Sequence, residues 1–356
     1  MNYITGEFLS YPEWSFYLPS NIFFFLKSIN FTTEKKRIIT KEEKIGPKYL
    51  FACHPHGVIS FGITASLCWG GEDNVWDTKV SDCSISEPFN DVNENDIKSS
   101  HKLKSSKSFR SLFPGISNHL LTIPTQFSLP FYRDYIMALG VGLVTKSGIS
   151  SILRKNHSVT IVVGGAHESL YAKPGANKIV LNRRKGFIRI ALELCTKTEE
   201  DIIHLTDEEI SDNIYNGRWN NSMSDIAIVP VYVFGENNVH NVFNTTEEIS
   251  ENSEIMKTLL KLQLLMKKYT GFTLPLVNSR GVFNYDFGLL PYKRRMDVVT
   301  GEPIYIYRKF SKSIKDKVTD EEIDYYHEIY RNKLVELWEK HKGFATEWDE
   351  NLEIVE

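Results

Sequence analysis

The chain has 356 residues, 42% hydrophobic and 24% charged, so it can bury a substantial core and disorder is not its main state. With 42 Lys and Arg against 45 Asp and Glu, its net charge is -3, so no global field argues for nucleic acid and any anion site must be local. Cys53, Cys68, Cys83 and Cys195 form no Cys-x-x-Cys pair, which favours reduced thiols; no run of about 18 apolar residues and no charged-then-apolar leader occurs, so neither a spanning helix nor secretion is expected.

Residues 1–45 read as an aromatic arm ahead of a domain at 46–356. Trp14, Phe16 and Tyr17 suit headgroup depth and Lys27 can reach toward phosphate, while the apolar core Ile22 to Leu26 is too short to span a bilayer. The alternative is an arm packed on the domain. A buried strand at 48–53 then runs into His54-Pro55-His56-Gly57, and a helix is expected from Gly57 to about Trp69. A strand's carboxyl end beside a helix amino terminus gathers side chains and unpaired N–H groups around one cavity. His56 is the candidate base and His54 the second, because an imidazole of ordinary pKa near ~6.5 can accept a proton at neutral pH. Gly57 allows close backbone approach, and N–H groups near it are candidates to meet an oxyanion. The competing reading is a pair of histidines that only caps a strand or fills a polar pocket.

From about 71 to 110 the chain turns polar and reads as an inserted loop. A strand over Leu120 to Phe127, a helix over Pro130 to Leu139, a short strand over Val141 to Thr145, a helix over Gly148 to Lys155 and a β-branched strand over 158–163 follow. This alternation predicts an α/β sandwich. In the turn Gly164-Gly165-Ala166-His167-Glu168, Glu168 would orient a histidine if its strand neighbours the first; a solvated loop carboxylate is the alternative. Arg183, Arg184, Lys185 and Arg189 sit at a helix entry, either binding phosphates or forming a solvated face.

A second polar insertion covers 196–225, before the strand Ile226 to Phe234. Pro230 points to an edge or a bulge in that strand, and Glu236 and Asn237 after it are weaker site candidates. Residues 249–269 read as an amphipathic helix for the core or for a membrane interface. Arg280, in Arg280-Gly281-Val282-Phe283, is a candidate for a phosphate or a main-chain carbonyl. Strand pieces are expected at Val298 to Gly301 and Pro303 to Tyr307. A last helix is expected over Asp320 to His341, with Ile323, Tyr326, Tyr330, Leu334 and Leu337 at core spacing.

"HPHG" together with "VVGGAHESL", "NRRKGFIRIAL", "IVPVYVFGEN", "SRGVF", "GLLPY", "VTGEPI" and the terminal "YHEIYRNKLVELWEKHK" resembles, in the same order, the type-2 diacylglycerol acyltransferase family with its monoacylglycerol acyltransferase and wax synthase relatives. The resemblance implies a glycerolipid-acyltransferase-like α/β sandwich with a central mixed sheet flanked by helices. It also implies acyl transfer from acyl-CoA to a glycerolipid hydroxyl at a membrane surface, with no cofactor beyond acyl-CoA as co-substrate. Diacylglycerol is the expected acceptor, with monoacylglycerol or a long-chain alcohol as alternatives. The expected location is the endoplasmic reticulum membrane with the site toward the cytosol, or the lipid droplet surface; oligomeric state stays open.

The chain departs from the family in three places. No hydrophobic hairpin precedes Tyr11, Leu18 stands inside the Tyr-Phe-Pro motif, and His167 replaces a small residue. The broader glycerolipid acyltransferases carry an aspartate five residues after a histidine. Here those positions are Ile59 and Phe61, so the acid must come from elsewhere, and Glu168 is the choice. A metal hydrolase using His-x-His is the rival from another class, although no second ligand motif occurs. A serine hydrolase lacks its Gly-x-Ser-x-Gly elbow. A non-catalytic lipid-binding module is the third reading.

Overall fold

A computed structural model describes residues 29–33, 47–68, 109, 116–202, 224–243, 276–279, 291–292, 294, 296–311, 313–345 and 351–355. The arm before residue 29, the centres of both insertions, the 249–269 helix and Arg280 lie outside the described residues. The strands are β1 (Ile29–Thr33), β2 (Lys48–His54), β3 (Asn118–Thr122), β4 (Gly142–Leu143), β5 (Ser158–Val162), β6 (Lys178–Val180), β7 (Ile226–Phe234), β8 (Asn241–Phe243), β9 (Leu276–Asn278), β10 (Met296–Thr300), β11 (Ile304–Ile306) and β12 (Glu353–Val355). The helices that matter to the site are α1 (Phe61–Ile63), α2 (Tyr132–Ala138), α3 (Lys146–Arg154), α4 (Gly165–Glu168), α5 (Gly186–Leu194) and α6 (Asp320–His341).

The central sheet is mixed, in the order β1-β10-β7-β2-β5-β3-β4, with β11 also on β7. Strand β2 lies between β7 and β5 and is parallel to both, with Cys53 opposite Val231 on one side and Val162 on the other. Alternation along β2 divides two cores. Leu50 and Ala52 face one core with Ile228, Ile188, Tyr330 and Leu334; Tyr49, Phe51 and Cys53 face the other with Val229, Val231, Ile63 and Leu67. Each aliphatic side chain so buried stabilises the fold by roughly 1.5–3 kcal/mol, which explains why the two middle strands read as continuous apolar runs. The expected α/β architecture, with a mixed sheet and flanking helices, is what the chain adopts.

Several elements differ in detail from the sequence reading. Strand β3 stops at Thr122 because Pro124 opens a 3-10 turn, Pro124–Ser128. Ile29–Thr33, grouped with the arm, pairs in parallel with β10. Pro230 is not at an edge; it faces a bulge in its partner, where the register against β7 shifts by one residue between Thr300 opposite Val231 and Ile304 opposite Ile228. It lies in the middle of β7, where all nine residues are buried, and it pairs with Ala52. Its carbonyl accepts the Gly301 N–H at 2.8 Å, at the break between β10 and β11. A residue's N and C=O point to the same side of a strand, so the missing N–H falls where the partner strand is interrupted.

Candidate active site

Because β2, β5 and β7 run parallel, their carboxyl ends share one rim of the sheet. His54 closes β2, Glu168 closes the four-residue turn after β5, and Glu236 follows β7 by two residues. The strands of His54 and Glu168 are direct neighbours, as the reading of Glu168 required.

His54 has the parity of Leu50 and Ala52 and is fully buried, its ring 6.3 Å from that of Tyr330. Tyr330, on α6, donates its hydroxyl to the Ala52 carbonyl at 3.1 Å and so closes the floor beneath the strand end. His54 Nδ1 lies 3.6 Å from Glu168 Oε2, and both side chains are out of solvent. The other Glu168 oxygen, Oε1, accepts the main-chain N–H of His56, while Oε2 accepts that of Val180 at 2.8 Å. Glu168 thus clasps the strand end carrying both histidines, but through the backbone of His56 and not through its ring. Gly164 permits this, because a Cβ there would overlap the Glu168 carboxylate.

The His56 ring is half-buried, and its Nδ1 sits 3.0 Å from the Gly57 carbonyl. A carbonyl only accepts, so Nδ1 carries the proton and Nε2 holds the free lone pair. Burial pushes the His56 pKa below its ordinary value, against the opposing Gly57 hydrogen bond and the Glu168 charge. The ring is therefore neutral at physiological pH and able to take a proton.

The helix after Gly57 does not begin there. Gly57 adopts a positive φ of 58, a turn follows, and α1 starts only at Phe61. The first N–H groups of α1 are also occupied: Phe61 and Gly62 donate to Glu236 Oε1 and Oε2, each at 2.8 Å. With the His56 N–H held by Glu168, these three donors around the turn are already engaged. Sequence reading ranked Glu236 low because its burial depends on β2 lying beside β7; the available signal was the repeated pattern of a buried strand, a glycine and a glutamate.

The basic candidates separate. Arg184 reaches the active-site turn, donating Nη2 to the Gly164 carbonyl at 3.0 Å. Lys185 and Arg189 are paired with Asp324 at 2.6 Å and Asp320 at 2.9 Å, in the first two turns of α6, and Arg183 is exposed. Among the described residues no group of three or more His, Cys, Asp or Glu is placed to hold a metal ion, and no helix is long and apolar enough to cross a membrane.

A model of the diacylglycerol acyltransferase family matches residues 102–198 and 222–355. The chain belongs to that family. It is 31% identical over 347 residues to diacylglycerol O-acyltransferase 1 of Eremothecium gossypii, covering 97% of this chain and 58% of that protein. It is 33% identical over 301 residues to diacylglycerol O-acyltransferase 2 of Dictyostelium discoideum, covering 84% and 67%. With 2-acylglycerol O-acyltransferase 1 of Bos taurus the identity is 31% over 299 residues, covering 83% and 65%. The chain thus spans about 58% to 67% of the length of these relatives. No solved structure matches it.

Proposed function

We propose that this chain moves an acyl group from acyl-CoA to the hydroxyl of diacylglycerol, forming triacylglycerol, with His56 as general base. The observation that carries this reading is the half-buried His56 ring. Its free Nε2 stands beside a carboxylate that grips its backbone, at the rim where three parallel strands end. In the proposed step His56 Nε2 takes the acceptor's proton and the oxygen attacks the thioester carbonyl. The tetrahedral intermediate then expels the CoA thiolate, which recovers the proton as CoA-SH. Glu168 holds the turn and favours the imidazolium formed during attack, whereas His54, fully buried, serves as packing behind it. Arg183 is the basic residue of its cluster assigned to a CoA phosphate, since Lys185 and Arg189 already have acidic partners.

Monoacylglycerol is the second acceptor to weigh, because the relatives include a 2-acylglycerol O-acyltransferase at similar identity. The reaction would run at a membrane surface, at the endoplasmic reticulum or a lipid droplet, with no cofactor beyond acyl-CoA. The test is turnover of labelled acyl-CoA in membranes with diacylglycerol, monoacylglycerol and a long-chain alcohol. His56→Ala is expected to remove roughly 10²–10⁴-fold of the rate, as loss of a general base does, and Glu168→Gln to lower it as well. Full turnover by correctly folded His56→Ala would sink the assignment of His56 as base, and no transfer by the intact chain to any of the three acceptors would sink the reaction itself.

A further inference from the structure

The turn after β7 grips the loops of both candidate site elements. Gly235 takes a φ of 82 and Glu236–Val239 forms one buried 3-10 turn. Besides accepting the Phe61 and Gly62 N–H groups, Glu236 is pressed against glycines: a Cβ on Gly57 would lie 2.6 Å from its Cγ, and one on Gly62 would lie 2.7 Å from its Oε2. The carboxylate is therefore wedged into the segment that begins at His56. A local residue would ordinarily cap α1. Ser60 occupies that place but donates its hydroxyl back to the His56 carbonyl at 2.6 Å, so the cap comes from another strand.

The neighbouring residues hold the other loop. Asn237 Nδ2 donates to the Ala176 carbonyl at 2.6 Å, and Asn238 Oδ1 accepts the Gly175 N–H at 2.8 Å. Tyr232, within β7, donates to Asn177 Oδ1 at 2.9 Å. Residues 175–177 lead into Val180, whose N–H holds Glu168. One turn thus ties the histidine segment, by a carboxylate, to the loop that sets Glu168, by two amides.

We propose that Glu236, with Asn237 and Asn238, is a positioning unit for acyl transfer, holding the His56 turn in register with the Glu168 loop. The inference rests on the reading of His56 as base. Charge matters to the clasp, since an ionised carboxylate accepts both N–H groups equally while an amide presents one oxygen and one unwanted donor. Burial raises the Glu236 pKa to about 7 against the pull of the two N–H groups, and no charged side chain is among the causes.

The test compares wild type, Glu236→Gln, Asn238→Ala and His56→Ala in membranes with labelled acyl-CoA and diacylglycerol, with rates expressed per folded molecule. E236Q is expected to lower kcat roughly 10- to 100-fold, as a small misplacement of a reacting group does, with KM for acyl-CoA unchanged. The wild-type rate should also fall in a step as pH drops through about 7, a step that E236Q lacks. Should E236Q not fold, Asn238→Ala decides by the same split of kcat from KM. Unchanged kcat and an unchanged pH step in E236Q, or a loss confined to the amount of folded protein, overturn the inference. An active H56A overturns the reading of His56 as base on which the inference rests, whereas an inactive H56A beside an unaltered E236Q overturns the positioning role alone.

Discussion

At the residue scale, half-buried His56 and fully buried Glu236 both titrate, and their contributions to stability run in opposite directions. Glu236 has a pKa of about 7 in the fold against 4.5 ordinarily. Between those values the folded chain keeps a proton that the unfolded chain has released. Its contribution is therefore full below about 4.5 and is lost as pH rises through 7, on the order of 3 kcal/mol in all. His56, lowered by burial, contributes with the opposite sign, lost as pH falls below its ordinary 6.5. The difference in unfolding free energy between wild type and Glu236→Gln isolates the glutamate. That difference should shift in favour of the glutamine variant as pH rises from 5 to 8, followed by denaturant titration; a constant difference would contradict the account. Glu236 is thus least favourable to stability in the charged state its clasp uses, a cost typical of groups kept for function. The His54-to-Gly57 turn and Glu168 were legible in the sequence because strand, turn and residue type are local signals. The carboxylate meeting the His56 backbone and not its ring was not, because it depends on how two loops approach.

At the element scale, α6 is the longest described helix and closes one face of the sheet. Its periodic apolar residues and the Thr319 cap, which accepts the Glu322 N–H at 3.2 Å, are local features, and its predicted bounds match. The pair formed by Glu322 with Arg308 is not local in this sense. Arg308, 1% exposed, donates Nε to Glu322 Oε2 at 2.9 Å and also donates to the carbonyls of Asp316 and Lys317. This fastens the segment after β11 to the first turn of α6. Arg308→Met is expected to cost roughly 3–5 kcal/mol by leaving Glu322 charged and unpaired, and adding Glu322→Met should recover much of it. Urea unfolding of the two variants checks this; equal losses in single and double variants would show that the pairing contributes little.

At the scale of the whole molecule, the candidate site residues gather where β2, β5 and β7 end side by side, and the long polar stretch between α1 and β3 supplies none of those described. Deleting residues 75–105 should leave acyl transfer largely in place, measured as turnover per folded molecule; a collapse without unfolding would assign that stretch a role. From its residues alone the chain determined its α/β class, most strand and helix positions, the placing of the histidine turn and the Glu168 turn on neighbouring strands, and a family resemblance that the comparisons bear out. Those properties follow from periodicity and residue type, which are written along the chain. Only the tertiary structure decided that β7 lies in the middle with Pro230 opposite a bulge in its partner, that Glu236 engages the first N–H groups of α1, and that Lys185 and Arg189 are taken by α6. Each is a contact between segments distant in sequence, set by strand order and packing, and no local pattern encodes it.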